Sequence, residues 1–297
     1  MSLRLAREAV SGGGLSIVQV CRALSIPRAT YYRGLVAKER SGGDKDVRDA
    51  ILNIAGRMVG YGYRRITHEL RRQGRVVNHK RVRRIMREER LLCRSRRRFT
   101  RTTDSTHGFP TYPNLARNMT LTGINQLWVA DITYVHLDRA TVYLAVILDA
   151  FGRRGVGWDV QPDLRARLTV NALKMAVANR RPAPGLVHHS DRGTQYACNE
   201  YIDLLHQHGI QPSMSRAGCP YDNARAESFI RTIKCEEVYL KEYRDLTHVR
   251  NDIAHFIDTV YNRERLHSAL GYLPPAEFEA IAAATEATPA GKPVVSL

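Results

Sequence analysis

The chain has 297 residues, more than one compact domain of ordinary size holds, and 43% of them are apolar. That excludes a globally disordered chain and leaves room for two or three domains. The formal net charge is +17, and residues 1–125 carry all of the excess, with 27 Lys+Arg against 9 Asp+Glu (+18), while the remainder balances 19 against 20 (−1). No run approaches the ~18 apolar residues of a membrane-spanning helix, and no charged–apolar–small leader opens the chain. The cysteines Cys21, Cys93, Cys198, Cys219 and Cys235 are scattered and form no C-x-x-C pair. They support neither a disulfide framework nor a zinc site and read as free thiols of a reducing cytoplasm.

In chain order, Leu15–Leu24 and Arg28–Arg33 read as two short helices around Ser25-Ile26-Pro27, with Pro27 suited to a first helical turn. This is helix-turn-helix-like, within an N-terminal segment 1–40 that ends at a Gly/Ser linker. A basic helix-turn-helix-like domain is expected over 46–100. Val47, Ile51, Ile54, Ala55 and Met58 repeat at helical spacing, and Arg64–Gln73 is a helix stopped by Gly74. Asn78 can cap a further helix, His79–Glu89, with Val82, Ile85 and Met86 inward. Its other faces carry Lys80, Arg81, Arg83 and Arg84, and Arg96, Arg97 and Arg98 follow. The plain alternative is a solvated basic face. A capped helix after a turn, crowded with arginine, favours DNA contact, mostly to phosphates. With Arg64 and Arg65 at the start of the preceding helix, these residues are the expected DNA-binding set.

Residues 101–123 read as a linker. From Gln126 the pattern turns to β: Gln126–Leu137, Thr141–Asp149 and Arg154–Val160 form a meander. A helix over Leu164–Asn179 follows, then a strand Leu186–His189, a helix Asn199–His208, a strand Ile210–Met214 and a long helix Asp222–Leu240. The order βββαβαβα predicts an α/β domain over 124–245, a mixed sheet flanked by helices, which is the order of the ribonuclease H-like fold. A helical extension is expected over 246–283 and a disordered tail over 284–297.

Three acids stand out in this frame. Asp131 interrupts the apolar run Trp128-Val129-Ala130-Asp131-Ile132, Asp191 follows the end of the fourth strand, and Glu227 lies one turn inside the last helix. Each alone has an ordinary reading, as a solvent-facing strand residue, a turn acid or a helix-dipole acid. Together they can converge, and hard carboxylate oxygens suit Mg²⁺ or Mn²⁺, with two ions about 4 Å apart serving in-line displacement at phosphorus. Lys234 lies seven positions after Glu227 and shares its helical face, where it can hold a phosphate. Asp149 reads as a turn acid, and His188 and His189 as structural or substrate-positioning groups.

His189-Ser190-Asp191-Arg192-Gly193-Thr194-Gln195-Tyr196, Asp222-Asn223-Ala224-Arg225-Ala226-Glu227-Ser228, Lys234 and Tyr261-Asn262-Arg263-Glu264-Arg265-Leu266-His267-Ser268-Ala269-Leu270-Gly271-Tyr272 resemble the second-frame (OrfB) transposases of the IS-three insertion-sequence family. These belong to the DDE transposase and retroviral integrase superfamily. Tyr61-Gly62-Tyr63-Arg64-Arg65-Ile66 and Asn78–Met86 resemble that family's helix-turn-helix region. The resemblance implies a metal-binding catalytic triad of Asp131, Asp191 and Glu227, with Lys234 as the basic residue that follows. It implies metal-dependent strand cleavage at element ends and strand transfer by a DNA 3′-OH. It further implies double-stranded DNA as substrate and target, homo-oligomers on paired ends, and a first-frame (OrfA) protein or fusion as partner. The expected location is the bacterial cytoplasm, on the nucleoid. The alternative from another class is a non-catalytic DNA-binding regulator or domesticated relative, against which the three acids and Lys234 speak.

Overall fold

The computed structural model describes residues 6, 8–10, 16–32, 44–92, 110–216 and 219–286. The chain divides into two compact units, Met1–Arg57 with Ile66–Leu92, and Met58–Arg65 with Cys93–Leu297. Arg96, Arg97 and Arg98 lie outside the described residues, as do Cys93, most of the expected linker and residues 287–297.

In the first unit, α1 (Ile17–Ala23) opens with a capping box in which Ser16 and Gln19 satisfy each other's backbone N–H groups. Residues 28–32 are helical, and Tyr31 packs with Val20 and Cys21. Three further helices follow, α2 (Lys45–Arg57), α3 (Tyr63–Arg72), whose residues up to Arg65 count with the second unit, and α4 (His79–Glu88). Gly74 adopts a φ of 77° just after α3, a conformation that costs glycine little. Asn78 caps α4, its side chain accepting from Lys80 N at 2.8 Å, an arrangement worth about 1 kcal/mol. Val82, Ile85 and Met86 are buried along α4, as their spacing predicts. Asp44 is buried and accepts from Arg81 Nε at 2.6 Å and from Arg84.

The second unit is built on a sheet of β1 (Leu127–His136), β2 (Thr141–Asp149), β3 (Gly155–Gln161), β4 (Val187–Ser190) and β5 (Gln211–Met214), ordered β3-β2-β1-β4-β5. The first three strands form the expected antiparallel meander, and β4 and β5 add in parallel to β1. Odd positions of β1 (Leu127, Val129, Val135) and even positions of β2 (Val142, Leu144, Val146, Leu148) face one apolar core, and Trp128, Ala130, Ala145 and Ile147 face the other. On the second face lie α5 (Ala166–Arg180) and α6 (Asn199–Gln207). On the first lie α7 (Ala224–Glu236), α8 (Leu246–His255), which runs into a π-helical stretch Phe256–Glu264, and α9 (Pro275–Glu286). A Cβ on Gly157 of β3 would come within 2.2 Å of the Ala172 carbonyl, so α5 sits closer to the sheet than any side chain allows.

The structure departs from the sequence expectation in three places. The helix expected over Asp222–Leu240 is an α-helix only over Ala224–Glu236, flanked by 3₁₀ turns at Pro220–Asn223 and Val238–Leu240. Glu237, at φ −132° and ψ −67°, leaves helical geometry, and no glycine or proline marks the break. A helical turn at Thr194–Ala197 precedes α6, and its two buried side chains, Tyr196 and Ala197, explain why the stretch folds onto the core. Helix α9 continues to Glu286, three residues into the stretch expected to be disordered, with Thr285 Oγ1 bonded to Ile281 O.

Candidate active site

Strands β1 and β4 run parallel with Val129 opposite His189. Two residues further along each strand path stand Asp131 and Asp191, and neighbouring strands lie about 4.8 Å apart. Asp131 shares the face of β1 that α7 covers. Asn223, buried just before α7, donates from Nδ2 to Ala130 O at 2.9 Å, which fixes the start of the helix carrying Glu227 beside Asp131. Asp191 Oδ1 accepts from Gly193 N at 3.0 Å, so the turn after β4 sets the carboxylate's direction.

The electrostatics tie these groups together. Asp131 is pushed up to about 8, first by burial and then by the Asp191 carboxylate, with Glu227 adding to the rise. The Ile132 N–H, which Asp131 Oδ1 accepts at 2.8 Å, and Lys234 pull in the opposite direction. Glu227, on the exposed side of α7, is raised by partial desolvation. Lys234 is half-buried, its Nζ 4.2 Å from the centre of the Tyr134 ring. Burial lowers its pKa, and Tyr134 and Asp131 oppose that. The structure therefore brings Asp131, Asp191, Glu227 and Lys234 into one interacting group. Among the described residues no group of three or more His, Cys, Asp or Glu side chains is gathered closely enough to hold a metal ion by itself. An open set of carboxylates that repel one another fits a hard divalent ion that keeps water and takes substrate phosphate as ligands.

Other candidates take structural places. His188 Nε2 pairs with Tyr201 OH at 3.0 Å, and His189 sits between Ser213 Oγ at 2.8 Å and Ser215 Oγ at 3.0 Å. Burial lowers both, to about 3 and about 4, so they are neutral at pH 7. Asp149 is fully buried and takes N–H groups of Asn125, Phe151 and Gly152, the turn role its position suggests. Of the expected DNA-binding residues, Arg64, in the second unit, is exposed, as are Lys80, Arg83 and Arg84 in the first, and Arg81 is half-buried. Arg65 bonds Leu266 O at 2.9 Å. Sequence reasoning assigned no role to Asn223 or Tyr134. Asn223's position just before a helix signals a cap, but its bond reaches a strand 93 positions away and carries no local signature. The described cysteines Cys21, Cys198, Cys219 and Cys235 are free thiols.

A meander extended by two parallel strands, with acids on β1, after β4 and on the closing helix, defines the integrase-core class. Family models described as Integrase core domain match residues 122–220 and 208–275, and one described as HTH-like domain matches 45–99. The chain is 37% identical over 267 residues to the insertion element IS600 uncharacterized 31 kDa protein of Shigella sonnei, covering 87% of this chain and 97% of that protein. It is 34% identical over 270 residues to Transposase InsF for insertion sequence IS3A of Escherichia coli strain K12, covering 89% of this chain and 94% of that protein. The chain belongs to the IS3 (IS-three) family of insertion-sequence transposases, DDE-type polynucleotidyl transferases. Among solved structures it matches the simian T-cell lymphotropic virus intasome in complex with PP2A regulatory subunit B56 gamma (14% identity, 84% of this chain, 78% of that chain, TM-score 0.47). It also matches the HTLV-2 integrase catalytic core domain in complex with magnesium (15% identity, 52% of this chain, 95% of that chain, TM-score 0.40). Superpositions this loose add no weight to the assignment.

Proposed function

We propose that this transposase cleaves DNA at the ends of its insertion sequence and joins the resulting 3′-OH ends to target DNA, using Asp131, Asp191 and Glu227 to hold Mg²⁺ or Mn²⁺ as a pair of ions. The observation that carries this reading is that Asp191, Glu227 and Lys234 each act electrostatically on one carboxylate, Asp131. Divalent ions held there supply a clamp on the attacking and leaving oxygens of an in-line displacement at phosphorus. The chain's own residues do the positioning. Asp131 presents its carboxylate from the middle of β1 and Asp191 from just past the end of the neighbouring β4, and Glu227 adds a third carboxylate from a helix anchored by Asn223. Lys234, steadied against Tyr134, offers an ammonium to a DNA phosphate beside them. Arg64, Lys80, Arg81, Arg83 and Arg84 bring phosphate contacts from the helical stretch, and the working form is a homo-oligomer on paired ends, acting with a first-frame protein or as its fusion.

The test is a cleavage and joining assay on labelled linear DNA carrying the ends of the chain's own element, with Mg²⁺ or Mn²⁺, beside Asp191→Asn. Metal-dependent cleaved and joined products that vanish in the variant, while DNA binding survives, are expected. Products that persist in Asp191→Asn would refute the assignment. Binding without cleavage by both this chain and its first-frame fusion would favour the regulator reading.

A further inference from the structure

The integrase-core unit contains a cavity of about 340 Å³ that the chemistry above leaves unused. Arg65, Arg153, Arg225, Arg231 and Arg265 line it against a single carboxylate, Glu236. Arg65 belongs to Met58–Arg65, the stretch that folds with this unit. Glu236 is already engaged by Arg265, through Nε at 2.7 Å and Nη2 at 2.6 Å. Arg65 donates to Leu266 O at 2.9 Å and Arg225 to Ala150 O at 2.8 Å. Neutral carbonyls of this kind orient a guanidinium without cancelling its charge.

Among the described residues, two buried nitrogens on the cavity wall, Arg153 Nε and His267 Nε2, have no hydrogen-bond partner. Buried polar atoms are rarely left so. Arg153 also holds a φ of 54° in the turn between β2 and β3, where a side-chain-bearing residue is uncommon. The potential in the cavity is strongly positive. Burial and then Arg153 lower Arg225 to about 10, and burial followed by Arg265, Arg65 and Arg153 keeps His267 neutral. Like charges gathered in a half-buried cavity repel one another, and an anion is the partner that satisfies both the charge and the orphaned nitrogens.

We propose that this cavity is a second phosphate site of the core and takes a backbone phosphate of DNA. The fork of Arg matches phosphate oxygens, and Ser228 and Thr232 add hydroxyls to the wall. Arg225, Ser228, Thr232 and Cys235 recur at three-, four- and three-residue spacing, which makes a stripe on α7 at the opposite edge of its exposed face from Glu227 and Lys234, with the exposed Arg231 between them. An α-helix with its side chains is about 10–12 Å across, so DNA laid over the exposed face of α7 meets the acids at one edge and this stripe at the other. The positive cavity calls for an anion on its own terms, and its identification with DNA rests on the transposase reading.

The test is binding of the full chain to a linear duplex, followed by fluorescence anisotropy across a salt series, for the wild type, Arg153→Gln, Arg153→Lys and the exposed Arg231→Gln. Each Gln variant is expected to bind about tenfold more weakly, with a slope of log affinity against log salt smaller by about 1. Their melting temperatures are expected to hold or rise, because a repelling charge has been removed, and Arg153→Lys is expected to keep the wild-type slope. Unchanged affinity and slope in both Gln variants would overturn the proposal. So would a lower melting temperature with DNA binding intact, which would make the arginines a structural clasp. Stabilisation of the wild type by inorganic phosphate, with normal DNA binding in the variants, would mark a free-anion site and overturn the DNA assignment. None of these readouts requires strand cleavage, so their failure leaves the proposed chemistry standing, and failure of cleavage leaves them interpretable.

Discussion

Asp131 occupies a position where ionisation is costly, and that cost has a measurable pH signature. Folded, it keeps its proton up to about 8, whereas its ordinary value is 3.8. Between those values the native state binds more protons than the unfolded one, so the metal-free chain loses stability as pH rises from about 4 to about 8. A divalent ion offsets the same repulsion and competes with the proton. Melting curves in chelator are therefore expected to fall across this window in the wild type and to be flatter in Asp131→Asn. Mg²⁺ is expected to restore more at pH 8 than at pH 5. Superimposable pH profiles for the two proteins would count against the account. The acid itself is legible in the sequence because Trp128, Val129 and Ile132 announce a buried strand around it. Its coupling to Asp191 and Glu227 is not legible, because it depends on the approach of segments 60 and 96 positions away.

Helix α7 shows how much of an element can be read in advance. Its apolar positions Ala226, Phe229, Ile230 and Ile233 announce a helix with one buried face. Its C-terminal end carries no comparable signal, since the helix breaks at Glu237 with neither glycine nor proline there. The bond from Asn223 to Ala130 O ties this helix to β1 and so holds Glu227 in register with Asp131. Asn223→Ala removes the tie and leaves the Ala130 carbonyl without this donor. Displacement of a catalytic group by an ångström costs on the order of 10²-fold in rate. The expectation is a loss of that size in the cleavage rate with DNA affinity retained. An unchanged cleavage rate would show that α7 is held by its apolar face alone. The sheet is more fully legible than the helix ends, because the runs rich in Val, Ile, Leu and aromatic residues at β1 and β2 mark them as strands, while β4 (Val187–Ser190) and β5 (Gln211–Met214) are largely polar and take their places through pairing.

Across the whole molecule, charge and chemistry are divided along the chain. Residues 1–125 carry a net +18 and the rest −1, while the acids lie in the second part. Arg81 and Arg84 spend part of their charge on Asp44, so their replacement mixes folding with binding. Lys80 is exposed on α4 and gives the cleaner test. Replacing it with Gln is expected to lower DNA affinity several-fold, uniformly across sequences, and to reduce the salt slope by about 1. Melting temperature and Mn²⁺ binding are expected to hold. Full DNA affinity in that variant would place the electrostatic work elsewhere in the chain.

The central claim is that three acids separated widely in sequence form one metal centre, and Mn²⁺ binding to the purified chain tests it without DNA, element ends or partner. Titration followed by the loss of free Mn²⁺ paramagnetic signal is predicted to show saturable binding in the wild type. Asp131→Asn, Asp191→Asn and Glu227→Gln are each predicted to weaken it, at unchanged melting temperature in chelator or with a rise. Wild-type Mn²⁺ binding in all three variants would contradict the account.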